Sequence, residues 1–256
     1  LAVGNAANTL GGAGGPLAVL VVTIFAAECG KMVSKETKID ILVTPLVTIL
    51  VGSLLSIWWA PAIGKAASSV GNLIMWATEL QPFFMGILVS VIVGIALTLP
   101  ISSAAICAAL SLTGLAGGAA VAGCCAQMVG FAVMSFKENK WGGLIAQGVG
   151  TSMLQVPNIV KKPLIWLPVI LSSAVLGPVS TMLFHMTNNA TGSGMGSAGF
   201  VGQIMTWQVM AQTEHPVVLL KMVVIQFMLP AVLTVVFTQF MRKHNFIKDG
   251  DMKLDL

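Results

Sequence analysis

Two long stretches without an acidic or basic side chain constrain this chain more than any other feature. Leu80 to Phe136 runs for 57 residues without Asp, Glu, Lys or Arg, and Pro163 to Thr213 runs for 51. One membrane crossing takes about 20 apolar residues, so each stretch has room for two. Charged residues make up 9% of the 256, against about 25% in a soluble domain, so such a surface is not kept in water. A soluble enzyme, a disordered tail and a nucleic-acid binder are excluded. Backbone facing lipid must be satisfied within its own segment, and alternating runs of about ten residues are absent. The expected fold is all-α: a polytopic helical membrane protein with broken or re-entrant helices rich in Gly and Pro.

The apolar runs follow one another closely. Pro16 to Ala27 comes after a Gly-rich entry and ends at Glu28, and Ile39 to Gly64 is the clearest span, with Trp58-Trp59 as an interface anchor. Lys65 to Gln81 is more polar and is expected along the membrane surface. Further spans are expected at Pro82 to Leu99, Leu115 to Phe136, Leu164 to Met186 (interrupted by Pro168 and Pro178) and Val217 to Met241. Leu144 to Val160 is ambiguous, since it holds Gln147, Gln155 and Asn158. Residues 1–241 read as one transmembrane domain and 242–256 as a charged, solvent-exposed tail. Basic loops at 31–38, 137–140, 161–162 and 242–243 cannot all share one side if every run crosses fully, which favours half-crossings. The tail and loop 31–40 are placed inside. A weak repeat relates Val3-Gly4-Asn5 to Val70-Gly71-Asn72, each followed by Pro and an apolar run.

No catalytic constellation, metal-ligand spacing or cofactor loop is present, so no catalytic residue, metal or cofactor is expected. The four Cys read as small apolar filler. The informative residues are polar ones at membrane depth, where an amide or charge is costly unless it pairs or faces water. His185 to Gln203 is the leading stretch: Asn188, Asn189 and Gln203 carry paired donors and acceptors, as holding sugar hydroxyls requires, and His185, Gly194 and Gly196 lie among them. Its Gly content bends the backbone and frees N–H groups for a ligand; the alternative is an external loop with close packing through Gly192 and Gly196. Secondary candidates are Gln155 and Asn158 beside Lys161-Lys162, Asn5 and Asn8 before the Gly-rich entry, Glu79, and Ser102 and Ser103 after Pro100. Ser102 or Ser103 either opens a half-helix toward a cavity or caps a helix. Lys221 either snorkels or serves as a counter-charge.

The segments Leu80-Gln81-Pro82, Pro100-Ile101-Ser102-Ser103, Gly114-Leu115-Ala116-Gly117-Gly118-Ala119 and Gly194 through Gly202 resemble those of phosphotransferase-system enzyme IIC-like membrane proteins, the class that includes the perfringolysin O regulator proteins. The resemblance runs in order over nearly the whole chain and implies a further portion before Leu1. It also implies a bacterial plasma-membrane protein, multi-pass, that binds and carries a sugar-like polar solute. A homodimer and separate IIA and IIB proteins would be its partners besides the lipid bilayer. A true IIC component takes part in sugar phosphotransfer, yet no phosphoryl-carrying residue or IIA/IIB domain is recognisable here. The alternative within the same class is a non-transporting membrane sensor or regulator, with Arg242 to Leu256 as a docking segment.

Overall fold

A computed structural model describes residues 15–34, 40–99, 102–214 and 217–254. The Val3–Asn5 half of the repeat, with Asn5 and Asn8, lies outside them. Every described element is helical, and four helices are long and apolar enough to cross a membrane: Asp40–Ile63, Gly114–Met134, Pro163–Leu183 and Val217–Lys243. The chain divides into two compact units, the first comprising residues 1–72 with 108–110 and the second residues 73–107 with 111–256.

In the first unit, α1 (Gly15–Val33) and the first part of α2 (Asp40–Leu80) carry the apolar runs. Ala18 and Ala60 are buried with Ile63 against them, and Phe25 meets Trp59 edge-on at 5.2 Å between ring centroids. A Cβ at Gly30 would overlap the Thr48 hydroxyl, so this glycine sets how closely α1 and α2 approach. Most of Asp40–Ile63 faces outward, as lipid contact requires. The separate surface helix expected from Lys65 does not form; α2 continues through 41 residues to Leu80, with Pro45 and Pro61 inside it. Only its first part, Asp40–Ile63, is apolar enough to cross a membrane. The polar composition of 65–81 marked solvent exposure; it did not supply a helix stop.

The second unit is built around α5 (Gly114–Met134), in which 18 of 21 residues are buried. Packed on it are α3 (Pro82–Thr98), α8 (Leu167–Pro178) and α12 (Leu229–Lys243). Lipid provides no hydrophobic drive between helices, so close backbone approach at small residues and hydroxyl hydrogen bonds carry the association. A Cβ on Gly123 would overlap the Ser90 carbonyl of α3, and one on Gly177 the Gly86 carbonyl. The Ser90 hydroxyl donates to the Ser173 carbonyl at 2.6 Å, and Ser172 and Thr234 share a hydrogen bond at 2.9 Å. The Gln127 carboxamide oxygen accepts from Thr98 at 3.1 Å and from the Trp166 indole at 2.9 Å, joining α5 to the end of α3 and the turn before α8.

Breaks are present beside Pro168 and Pro178, as expected, and a further one precedes Pro230, where the proline itself supplies the cause. After Pro178 the helix widens into a π turn at Val179–Leu183, and a second π turn, Val223–Met228, precedes Pro230. Pro230 has no N–H to offer the residue four before it, Gln226, so the regular ladder cannot run through this point. Between α6 (Phe136–Ile145) and α7 (Val156–Lys161) the chain passes through a π turn and a 3-10 turn. It reaches in far enough for Ser152 to hydrogen-bond Thr98 at 3.0 Å, then returns. Leu144–Val160 is thus a bent segment of short helical turns and not one continuous helix. It also lets the basic loops at 137–140, 161–162 and 242–243 share one end of the unit.

The tail is the clearest correction. Most of its charged residues are exposed, as expected, but it is folded back on that end, with Ile247 and Met252 buried among Phe131, Met134, Ile159, Ile165, Val169 and Met241. Asn139 reads its backbone from both sides, accepting from Leu254 N–H and donating to the Met252 carbonyl, each at 2.8 Å. Arg242 bridges Glu138 at 2.8 Å and Asp249 at 2.6 Å, and Lys162 pairs with Asp251. Net hydrogen bonds are worth about 0.5–1.5 kcal/mol each, so Asn139→Ala, which removes two, should raise the undocked fraction of the tail about tenfold. Limited proteolysis within 245–254 would measure it. Burial works to raise the Asp251 carboxyl. The hydrogen bonds from Lys162 and the Lys248 N–H, with the charges of both lysines, outweigh that effect and hold it below the ordinary 3.8. A depressed carboxylate stabilises above its unfolded value and loses that contribution as pH falls through the folded one. Tail protection should therefore hold from neutral pH down to about pH 4 and weaken below it, and Asp251→Asn should flatten that acid limb.

Candidate functional site

The Gly-rich stretch after Leu183 lies inside the second unit, against the small face of α5. A Cβ at Gly118 would overlap the Met186 carbonyl, and Gly117 faces the Asn188 carbonyl and the Ser193 hydroxyl. Asn188 N–H donates to the Gly114 carbonyl at 3.3 Å, so the segment enters beside the start of α5. It then runs past Cys124, where Gly196 adopts φ +54 and a Cβ would sit 2.8 Å from the Cys124 Cβ. That left-handed conformation, at such close range, is one only glycine takes without strain. The chain re-enters a helix as α10 (Val201–Glu214). Residues 114 and 125 are separated by about 16 Å of helix, so the stretch passes from one membrane face to mid-depth.

Within this stretch the side chains divide by role. Asn188 is buried and fully engaged: its Nδ2 donates to the Gly202 carbonyl at 3.2 Å and to Thr206 at 3.1 Å, and its Oδ1 accepts from Asn189 N–H at 2.8 Å. Asn189 caps the short α9 (Ala190–Ser193), accepting from Gly192 N–H at 2.9 Å. Gly194 lies against the first turn of α4 (Ser103–Ala109), its carbonyl accepting from the Ser103 hydroxyl at 2.7 Å. Gln203 differs. It is 6% exposed, its Nε2 reaches only the Cys125 sulfur at 3.5 Å, and its Oε1 has no donor. One turn along α10, Thr206 accepts from Gln226 Nε2 at 3.0 Å, and Gln226 is fully buried with its Oε1 also undonated.

The arrangement therefore presents two buried carboxamide oxygens on elements joined through Thr206. Neither has a charged group as its hydrogen-bond partner. Buried polar atoms are nearly always paired, so two orphaned acceptors of one kind are conspicuous. Such acceptors complement a ligand that donates hydrogen bonds, such as a hydroxyl-bearing solute, and give an anion nothing to bind.

The remaining candidates fall elsewhere. His185 is exposed, at φ +45, and Glu79 is exposed near the end of α2. Ser102 accepts from Ala105 N–H at 3.2 Å, the geometry of a helix cap. Gln155 and Asn158 hold the tail: Gln155 Nε2 donates to the Met252 carbonyl at 3.1 Å and Asn158 Nδ2 to the Lys253 carbonyl at 2.9 Å. Lys221 donates to the Phe184 carbonyl at 3.1 Å, across from the widened helix. Sequence reasoning missed Gln226, Thr206 and Gln127. The amides among them meet the rule that singled out Asn188, a polar side chain at membrane depth, but stand alone in long apolar runs.

The described residues thus form a polytopic helical membrane protein whose second unit buries the Gln203 and Gln226 carboxamides among polar side chains. The family described as phosphotransferase system, EIIC, matches residues 1–254, and the chain belongs to that family. No curated protein and no solved structure matches it.

Proposed function

We propose that this chain is an EIIC-type transporter that binds a neutral, hydroxyl-rich solute such as a sugar through the amide oxygens of Gln203 and Gln226. The single observation that carries this reading is the pair of buried, undonated acceptors, Gln203 on α10 and Gln226 in the π turn before Pro230. Transporter sites lie near the midplane, at discontinuous helices. Asn188, Asn189, Gly194 and Gly196 build the wall of the site; Gln203 and Gln226 face the solute. The cluster of basic loops and the docked tail mark the cytoplasmic end. A regulator reading relied on the tail as a free docking segment, and its backbone and apolar side chains are engaged by the chain itself.

Ligand-induced thermal stabilisation of the purified protein tests this proposal. Anything that binds the folded state alone raises its apparent stability with the logarithm of the ligand excess. Across a panel of neutral sugars and their phosphates, at least one neutral sugar should stabilise and its phosphate should not. Equal stabilisation by the phosphate, or none by any sugar, would count against a neutral-donor site.

A further inference from the structure

A groove of about 240 Å³ opens between the last turns of α5 and α12, at the same end as the docked tail. Its apolar wall is Val133, Met134, Phe136 and Val235, and its polar edge is Lys137, Gln239 and Arg242. Beside it, Val232, Val236 and Phe240 form a row on α12, each more than half exposed, which is the lipid-facing side of that helix. The groove therefore lies beside the acyl region, with its cations at the helix ends, where headgroups lie.

The charge at its mouth is unbalanced. Glu138 and Asp249 both pair with Arg242, two carboxylates on one cation; Lys137 and Lys243 are exposed and no ion pair among the described residues engages Lys137, so these three cations exceed the two carboxylates by one. A phosphodiester oxygen would pair with Lys137, while an acyl chain would cover Val133 and Val235. We propose that this groove holds an anionic phospholipid of the leaflet at the tail end. The occupant is a lipid and not a protein segment, because the groove meets the lipid-facing row directly and the chain's own tail is engaged elsewhere. This inference does not rest on the solute site.

Native mass spectrometry of the full chain in mild detergent, with phosphatidylglycerol or phosphatidylcholine added, tests it. Phosphatidylglycerol should be retained preferentially. Each lysine near an anionic surface contributes about 1 kcal/mol, so Lys137→Gln should weaken that retention about fivefold. Val235→Phe, which fills the groove without touching charge, should weaken both lipids. Lys140→Gln, on the same end but not lining the groove, should leave retention unchanged. Equal retention of the two lipids would overturn the proposal. So would a Lys140→Gln loss as large as that of Lys137→Gln, which would mean diffuse charge, or displacement of the lipid by equimolar glycerol phosphate, which would mean a free-phosphate site. Unchanged retention in both Lys137→Gln and Val235→Phe would also exclude it.

Discussion

Replacing Gly123 by leucine should abolish recovery of folded protein. The position faces α3 so closely that a Cβ alone would overlap the Ser90 carbonyl, and the atom in the way is backbone, which cannot rotate aside. Overpacking a well-filled core costs about 1–3 kcal/mol when side chains can adjust. Here α3 and α5 would have to separate, breaking the Ser90–Ser173 and Thr98–Gln127 hydrogen bonds as they moved. Gly123→Ala should already lower the unfolding midpoint measurably. Gly142→Ala, at an exposed glycine where a new Cβ meets nothing within 4 Å, should be neutral or slightly stabilising. Size-exclusion profiles and thermal unfolding of the three variants check this directly. A well-folded Gly123→Leu would mean that α5 is not packed as described.

The second large effect is expected at the two orphaned amides. Gln203→Leu and Gln226→Leu keep bulk and remove a buried acceptor that the protein itself does not satisfy, along with one donated hydrogen bond each, to Cys125 and to Thr206. Losing the unsatisfied acceptor offsets the loss of that one bond, so the net cost to the fold is small. Removing the same group from a site built to hydrogen-bond a ligand leaves the ligand's own donor unpaired. Each substitution should therefore weaken solute binding about tenfold or more while the unfolding midpoint stays within a few degrees. Asn188→Leu should behave in the opposite way. All of its side-chain hydrogen bonds are spent inside the protein, with Gly202, Thr206 and Asn189, so it should lose stability first and binding only as a consequence.

Much of this was legible from where charge is absent. A run such as Leu80 to Phe136 admits few solutions, and Pro168 and Pro178 pointed to an interrupted span, whereas the break before Pro230 was not read from the sequence although the missing N–H there is a local rule. The amide-bearing stretch from His185 to Gln203 stood out because its Gly, Asn and Ser cluster. Gln226 and Gln127 did not, since one amide barely changes the hydropathy of a spanning window. The tail was misread for a different reason. Its partners are Asn139, Gln155 and Asn158, roughly a hundred residues earlier, and its two anchoring apolar side chains, Ile247 and Met252, sit among charges that suggest solvent. Composition reports what a segment can tolerate; only the fold decides which distant backbone it meets.

The solute site and its purpose meet in one experiment: flux of a labelled sugar, chosen as one that stabilises the purified protein, into sealed proteoliposomes carrying the native chain or the Gln203→Leu, Gln226→Leu double variant. The account predicts saturable, sugar-specific entry in the native vesicles and loss of most of it in the double variant, with both proteins equally folded and reconstituted. Flux that persists unchanged in the double variant, or binding by the native protein with no flux at all, would contradict it.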